Sequence, residues 1–267
     1  MKSFFCVKIN FQIVKKTSII LGIRIGTLNE RGKDRMNNET RLFSTGVMIL
    51  ILLLAVAAYF TVEYSSAKQI RVACVGDSIT EGSGYPFQLQ MMLGSNYIVG
   101  NFGVSGSTVS LDSTKPYMNE SKFKKALDFN PDIIVIMLGT NDANPEITPN
   151  ETGFETDYSQ LVSAFEQLEG RQLIWIVRSP PIFTDNSSYN NTILATTFLP
   201  EMDNLSDQMN LPTVNLYDSL RNHSEYFADG LHPTSEGAAV IAANVYDAIT
   251  LPDGSPDDSF FTDGYLG

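Results

Sequence analysis

The sequence predicts an α/β domain in which a five-stranded parallel sheet carries helices on both faces. Short β-branched runs alternate with helical patterns along the chain, which is typical of parallel sheets. The third run, residues 133–138, is continuously apolar, as expected of a central strand with both faces buried. Glycines and polar residues follow the first three runs, and parallel sheets bind ligands at that edge.

Each element follows from a local pattern. The five predicted strands are Ile70–Val75, Tyr97–Phe102, Ile133–Leu138, Leu173–Val177 and Thr213–Leu216. The helices are predicted over residues 86–93, 121–129, 156–168, 190–209 and 235–249. Thr234 is the expected N-cap of the last helix, since a threonine oxygen accepts from the free N–H groups of a first turn. These elements fit one domain over 70–250, and an acidic tail over 251–267 is expected to be flexible.

An uncharged segment precedes this domain. Residues 42–62 contain no charged side chain, and a helix of about 20 apolar residues spans a bilayer. We interpret 42–62 as an uncleaved transmembrane anchor, joined to the domain by a linker over 63–69, while small residues near its end leave cleavage and secretion open. Met36 is an ordinary start just before the anchor, and initiation there would leave residues 1–35 untranslated.

The charge is distributed unevenly about this segment. The whole chain carries a net charge of −12. Residues 1–63 carry nine basic and four acidic side chains, net +5, which leaves −17 on residues 64–267. An excess of Lys and Arg stays in the cytoplasm, so the segment 1–41 is expected inside and the domain outside. A domain this acidic argues against nucleic acid and anionic lipid surfaces as its partners.

Cysteines, histidines and asparagines give the remaining expectations from composition. Cys6 and Cys74 fall on opposite sides of the anchor, so no disulfide is expected. Two histidines and two dispersed cysteines are too few for a typical zinc site, and no metal or other cofactor is expected. In an exported domain, six asparagines in Asn-X-Ser/Thr sequons are glycosylation candidates: Asn119, Asn150, Asn186, Asn190, Asn204 and Asn222.

Four short stretches combine the side chains that nucleophilic catalysis needs. They are Gly76-Asp77-Ser78-Ile79, Asn101-Phe102-Gly103-Val104-Ser105-Gly106, Leu138-Gly139-Thr140-Asn141-Asp142 and Asp229-Gly230-Leu231-His232. The first three follow strands and the fourth precedes the last helix, so a parallel sheet brings all four to one edge. Each alone is ordinary turn chemistry, but together they supply a serine, an amide side chain, a glycine N–H and an Asp/His pair.

In this order, the four stretches resemble the four motif blocks of the GDSL/SGNH hydrolase superfamily, with Ile79 where the family usually has leucine. The resemblance covers residues 69–250. It implies a flavodoxin-like three-layer α/β/α domain, the SGNH hydrolase fold. It also implies ester hydrolysis through an acyl-enzyme.

The resemblance assigns a catalytic role to three residues. Ser78 would be the nucleophile, His232 would take its proton and return it to the leaving alcohol, and Asp229 would orient His232. Proton transfer near neutral pH calls for a histidine, and the chain has only His223 and His232. His223 lacks a comparable acidic partner in the sequence, so His232 is the predicted base.

The resemblance also implies an oxyanion hole. Its donors would be the backbone N–H groups of Ser78 and Gly103 and the side-chain amide of Asn141. Two further acids, Asp77 and Asp142, adjoin these residues. We interpret both as structural groups that hold their loops.

The substrate is inferred from a looser likeness. Residues 178–183 and 226–230 resemble the sialate O-acetylesterase and acetylxylan-esterase-like branch, which removes acetyl groups from sugars. The expected substrate is therefore an acetyl ester of a carbohydrate or small molecule. Among enzymes, the alternative is a lysophospholipase or thioesterase. Outside enzymes, the alternatives are a catalytically silent glycan-binding surface module and, more distantly, a flavodoxin-like electron carrier, since a fold does not fix a function.

Overall fold

The computed structural model describes residues 38–65, 68–148, 153–184 and 188–251. The chain divides into two compact units, Met1–Ser65 and Ser66–Gly267. The described part of the first unit is a single helix, α1, over Asn38–Ser65. The second unit contains the predicted α/β domain.

Helix α1 covers the predicted anchor over 42–62. Its larger apolar side chains from Val47 to Val56 are between 41 and 68 % exposed. Among the described residues, no helix is long and apolar enough to cross a membrane. The transmembrane anchor is therefore not shown by the structure and stays a prediction.

The second unit is built on the parallel sheet that the sequence predicts. Its strands are β1 Ile70–Gly76, β2 Tyr97–Gly103, β3 Ile133–Met137, β4 Leu173–Arg178 and β5 Thr213–Asn215. All pairings are parallel, and the strands lie in the order β2-β1-β3-β4-β5. The strand order reverses between β1 and β3, so their carboxyl ends flank the crevice where open parallel sheets bind ligands.

Helices connect the strands and cover both faces of the sheet. They are α2 Ser78–Gly82, α3 Tyr85–Leu93, α4 Ser121–Asp128, α5 Phe154–Glu166, α6 Asn191–Ile193, α7 Leu199–Met209, α8 Leu216–Leu220 and α9 Ser235–Thr250. Short 3₁₀ turns lie at Tyr117–Asn119 and Ser224–Tyr226. Thr234 caps α9 as predicted, since its side-chain oxygen accepts from the Gly237 N–H.

Alternate side chains of β1 point into two separate apolar layers. Ala73 and Val75 belong to the buried cluster that contains side chains of α4, α5 and α7. Val72 and Cys74 belong to the cluster that contains side chains of α3 and α9. Burial on both faces confirms the predicted three-layer arrangement. Cys74 is a buried free thiol, whereas Cys6 lies outside the described residues.

The predicted long helix over 190–209 is confirmed as one helical stretch over residues 191–209, but a π-helical turn interrupts its α-helical pattern. Helix α6 passes into a π-helical turn over Leu194–Phe198 before α7 begins at Leu199. Pro200 occupies the first turn of α7, and a proline has no N–H to continue the ladder of the preceding turns. A local π bulge accommodates the change in hydrogen-bond pattern there.

Other predictions fall partly outside the described residues. The acidic tail from residue 252 onward lies there, as do the sequon asparagines Asn150 and Asn186. The four described sequon asparagines are all exposed: Asn119, Asn190, Asn204 and Asn222. The side-chain oxygen of Asn190 accepts from the backbone of α6, so this asparagine also serves as a helix cap.

Candidate active site

Ser78 opens the short helix α2 directly after β1. A Cβ at Gly76 would lie 2.0 Å from Thr80 Oγ1 and 2.6 Å from the Met137 carbonyl, so only glycine fits where the strand turns. Asp77 caps the helix because its Oδ1 accepts from the Ile79 N–H at 2.9 Å. The turn leaves Ser78 half-buried at the carboxyl edge of the sheet.

Three predicted residues form a continuous chain of hydrogen bonds. Ser78 Oγ lies 3.0 Å from His232 Nε2, and His232 Nδ1 lies 2.7 Å from Asp229 Oδ2. Asp229 Oδ1 also accepts from the backbone N–H groups of Leu231 and His232. With Nδ1–H donating to the carboxylate, Nε2 is the free acceptor that faces the serine hydroxyl. This is the geometry of a nucleophile, a base and an orienting acid.

A tight hairpin presents Asp229 and His232. Phe227 and Pro233 form an antiparallel bridge, and the Ala228 N–H donates to the His232 carbonyl at 3.0 Å. Gly230 at its tip has φ +77°, and a Cβ there would lie 2.6 Å from the Thr184 backbone nitrogen. The hairpin therefore packs closely against the loop that follows β4.

The charge state of Asp229 suits this role. Desolvation raises the pKa of its carboxyl, but hydrogen bonds from the His232 ring and from the backbone of His232 and Leu231 lower it to about 2. The carboxylate is therefore ionised across the physiological range. It holds the imidazole in one orientation and stabilises the imidazolium that forms when the ring takes a proton.

His223 does not take part in this chain. Its Nδ1 lies 2.9 Å from Glu225 Oε1, and its ring stacks on Tyr226 with centroids 5.1 Å apart. His223 thus has an acidic partner after all, Glu225, only two residues away in the sequence. The structure nevertheless brings His232, and not His223, to Ser78.

Asn141 reaches the site from the loop after β3. Its side chain is 2 % exposed. The amide nitrogen donates to the Ser107 carbonyl at 2.9 Å, and the amide oxygen accepts from the Tyr189 hydroxyl at 3.3 Å. These two bonds fix the orientation of the amide and leave one N–H for a further acceptor.

The structural role of Gly103 differs from the predicted one. Its N–H donates to the Asn101 side chain at 3.0 Å, and a Cβ there would lie 2.3 Å from the Glu81 backbone nitrogen. Gly103 is thus a buried close-packing position against α2, and its N–H already has an acceptor. The prediction that it supplies an oxyanion donor is not supported.

Gly106, three residues on, is the better candidate for the third donor. It has φ +76°, and its N–H donates to no acceptor among the described residues. Gly106 precedes Ser107, whose carbonyl binds the Asn141 amide. Its loop is held to α2 because the Glu81 carboxylate accepts from the N–H and the hydroxyl of Ser105. Gly106 belongs to the same stretch as Gly103, the glycine to which the resemblance assigned the donor.

The two buried acids beside the site hold loops, in agreement with their interpretation as structural groups. Asp142 accepts from the backbone N–H groups of Val109 and Ser110 and from the Ser110 hydroxyl. Burial raises the pKa of Asp142 despite these bonds. Burial likewise raises the pKa of Asp77 to about 7, with the Ile79 N–H opposing and Asp142 adding to the shift.

Two residues at the site were missed. Tyr189 lies 48 positions from Asn141, and no local pattern connects the two. Glu81 lies three positions after Ser78 on α2, so the spacing could have indicated that the two residues share a helix face. Within the described part of the chain, no group of three or more His, Cys, Asp and Glu side chains is placed to hold a metal ion.

Comparison with known proteins identifies relatives of this arrangement. Residues 74–240 match the family model described as GDSL-like Lipase/Acylhydrolase family. An acetylxylan esterase from Xylanibacter ruminicola is 34 % identical over 206 residues, which is 67 % of this chain and 43 % of that protein. The chain therefore spans less than half the length of this relative.

Solved structures share the fold at lower identity. A carbohydrate acetylesterase family member from Sinorhizobium meliloti superposes with a TM-score of 0.52 at 23 % identity, over 68 % of this chain and 97 % of that one. A lipase/acylhydrolase from Enterococcus faecalis gives 0.54 at 21 % identity, over 68 and 95 %. An acetyl xylan esterase, AlAXEase, gives 0.55 at 20 % identity, over 67 and 100 %. At these identities the likeness shows the fold alone.

Proposed function

Because the chain belongs to the GDSL-like lipase/acylhydrolase family, we propose that it is a serine esterase that removes acetyl groups from carbohydrates through an acyl-enzyme. The observation that carries this proposal is the chain of contacts from Ser78 through His232 to Asp229, with distances of 3.0 and 2.7 Å. A catalytically silent glycan-binding module has no need of such an alignment.

The proposed reaction has two halves. Ser78 Oγ attacks the ester carbonyl carbon while its proton passes to His232 Nε2, and the carbonyl oxygen becomes an oxyanion. The bond between the acetyl carbon and the sugar oxygen then breaks, and His232 returns the proton to that oxygen. Water next attacks the acetyl carbon of the acetyl-serine while His232 takes a proton from the water. The bond to Ser78 Oγ breaks, His232 returns the proton to Ser78 Oγ, and acetate is released.

Three donors are proposed to stabilise the oxyanion. They are the backbone N–H of Ser78, the free N–H of the Asn141 amide and the backbone N–H of Gly106. Donors fixed before the reaction stabilise charge that appears only in the transition state, and loss of one costs about 2.7–4 kcal/mol. Gly106 replaces Gly103 in this assignment because the Gly103 N–H already donates to Asn101.

The acetyl group and the sugar are supported by relatives and by the composition of the loops. The relative at 34 % identity is named an acetylxylan esterase. The loops beside the site carry Ser105, Ser107, Thr108 and Asn144 and no run of large apolar residues. An acyl chain beside polar loops gains little from each added methylene, whereas a long apolar groove would gain about 0.8 kcal/mol per buried CH₂.

Two assays test this proposal. In a series of p-nitrophenyl esters, kcat/KM should fall from acetate through butyrate to octanoate. A panel of O-acetylated glycans should release acetate, and a Ser78→Ala variant should not release it. A profile that rises to octanoate would favour the lysophospholipase or thioesterase alternative, and absence of any turnover would favour the silent binding module.

A further inference from the structure

The Asn141 amide lies at the end of a chain of polar side chains. The Tyr189 hydroxyl donates to Asn141 Oδ1 at 3.3 Å, opposite the bond from Asn141 Nδ2 to the Ser107 carbonyl. Asn141 is almost completely buried, so water competes little for these positions. The Tyr189 hydroxyl therefore acts directly on the Asn141 amide.

Tyr189 remains a donor at the pH of catalysis. Desolvation is the main reason that its pKa is raised, and the charges of Asp77 and Asp229 act in the same direction, against an opposing effect of Asn144. The hydroxyl thus stays protonated near neutral pH.

We propose that Tyr189 is a positioning residue for the oxyanion-binding amide of Asn141, an inference that rests on the proposed esterase function. A proton donated to the amide oxygen polarises the amide, which makes its free N–H a stronger donor. The same bond opposes rotation of the amide, since a flipped Asn141 would set its oxygen against the Ser107 carbonyl. Both effects act on the transition state, where the oxyanion exists.

The main test replaces the phenol by a benzene ring of the same shape. Tyr189→Phe should lower kcat for p-nitrophenyl acetate about tenfold, less than the 10²–10³ expected for loss of the donor itself, with KM nearly unchanged. The inhibition constant of a trifluoromethyl ketone, whose adduct with Ser78 carries an oxyanion, should rise by the same factor. Tyr217→Phe is the matched control, because this half-buried tyrosine bonds to Asn191 at 2.9 Å.

A merely structural role of Tyr189 would move the melting temperature without this selective loss of kcat and of ketone binding.

Three results would overturn the inference. They are an unchanged kcat in Tyr189→Phe, a change in Tyr189→Phe that is confined to KM, and an equal loss of kcat in the control Tyr217→Phe. Failure of the proposed function is read separately, from the wild-type chain alone. If the wild type neither hydrolyses p-nitrophenyl acetate nor binds the ketone, the esterase assignment fails, and this inference fails with it.

Discussion

Ser78 Oγ and His232 Nε2 lie 3.0 Å apart, although 154 positions separate their residues in the sequence. This short distance depends on three local structural features. Asp77 caps the helix that carries the serine, Gly76 lets the strand turn there, and Asp229 holds the imidazole. Each of these features could be recognised in the sequence, because glycine turns, acidic caps and an Asp/His pair have characteristic spacings.

The two histidines provide a matched comparison at the scale of single residues. His232→Ala should reduce kcat by several orders of magnitude, because Ser78 then has no base. His223→Ala should leave kcat near the wild-type value, since its partners are Glu225 and Tyr226. Steady-state kinetics with circular dichroism for folding measures both. Inactivity of a folded His223→Ala protein would show that the base is misassigned.

Asp77 predicts a pH dependence of stability. Its pKa is raised from an ordinary value near 3.8 to about 7, so the folded state binds more protons than the unfolded state between these values. Its contribution to the free energy of unfolding therefore falls as the pH rises through that window, and the loss is complete above about pH 7.

The Asp77→Asn variant isolates this contribution. Between pH 5 and pH 8, the wild type should lose more urea stability than the variant, because the substituted amide does not titrate while Asp142 is present in both proteins. The amide oxygen can still accept from the Ile79 N–H. Equal losses in the two proteins would mean that Asp77 does not carry the raised pKa.

At the scale of elements, the hairpin over residues 227–233 depends on contact with the loop after β4. Gly230→Ala combines a left-handed φ with a Cβ 2.6 Å from the Thr184 backbone, so the hairpin must shift. A displacement of His232 by about 1 Å would cost about 10²-fold in kcat. Gly170→Ala, at φ +98° with nearest contact at 3.9 Å, carries the backbone strain without the clash.

Kinetics and thermal melts distinguish these two glycine variants. Both should melt at a lower temperature than the wild type, but only Gly230→Ala should lose activity. Full activity in Gly230→Ala would indicate that the hairpin tip adapts and that its contact with Thr184 does not position His232.

The elements also show where sequence reasoning succeeds. The five strands were predicted to within one residue at each end, because each is a short run rich in β-branched or apolar residues and is bounded by glycine or polar residues. The π-helical turn at 194–198 was missed, because helical periodicity continues through it and only the position of Pro200 marks the break.

The proposed oxyanion donors were predicted only in part. Gly103 ends β2 and Gly106 follows it, and spacing alone does not tell which N–H is free. That distinction depends on a side chain, Asn101, folding back on Gly103. The contact of Tyr189 with Asn141 could not be predicted for a similar reason, since it is made by tertiary packing between segments that are distant in the sequence.

At the scale of the whole molecule, the charge asymmetry predicts topology. Residues 1–63 carry net +5 and residues 64–267 carry net −17. If residues 42–62 anchor the chain, the basic side should stay in the cytoplasm. A protease added to intact cells should then digest residues 69–267, with a cytoplasmic protein as the control for leakage. Digestion only after lysis would reverse the topology.

The central claim is that Ser78 is the nucleophile of this chain, activated by His232. The most direct measurement is to label the protein with a fluorophosphonate and to map the adduct by peptide mass spectrometry. The account predicts a single adduct on Ser78, formed in parallel with loss of p-nitrophenyl acetate hydrolysis and strongly slowed in His232→Ala. An adduct on another residue, or full hydrolysis after Ser78 is labelled, would contradict it.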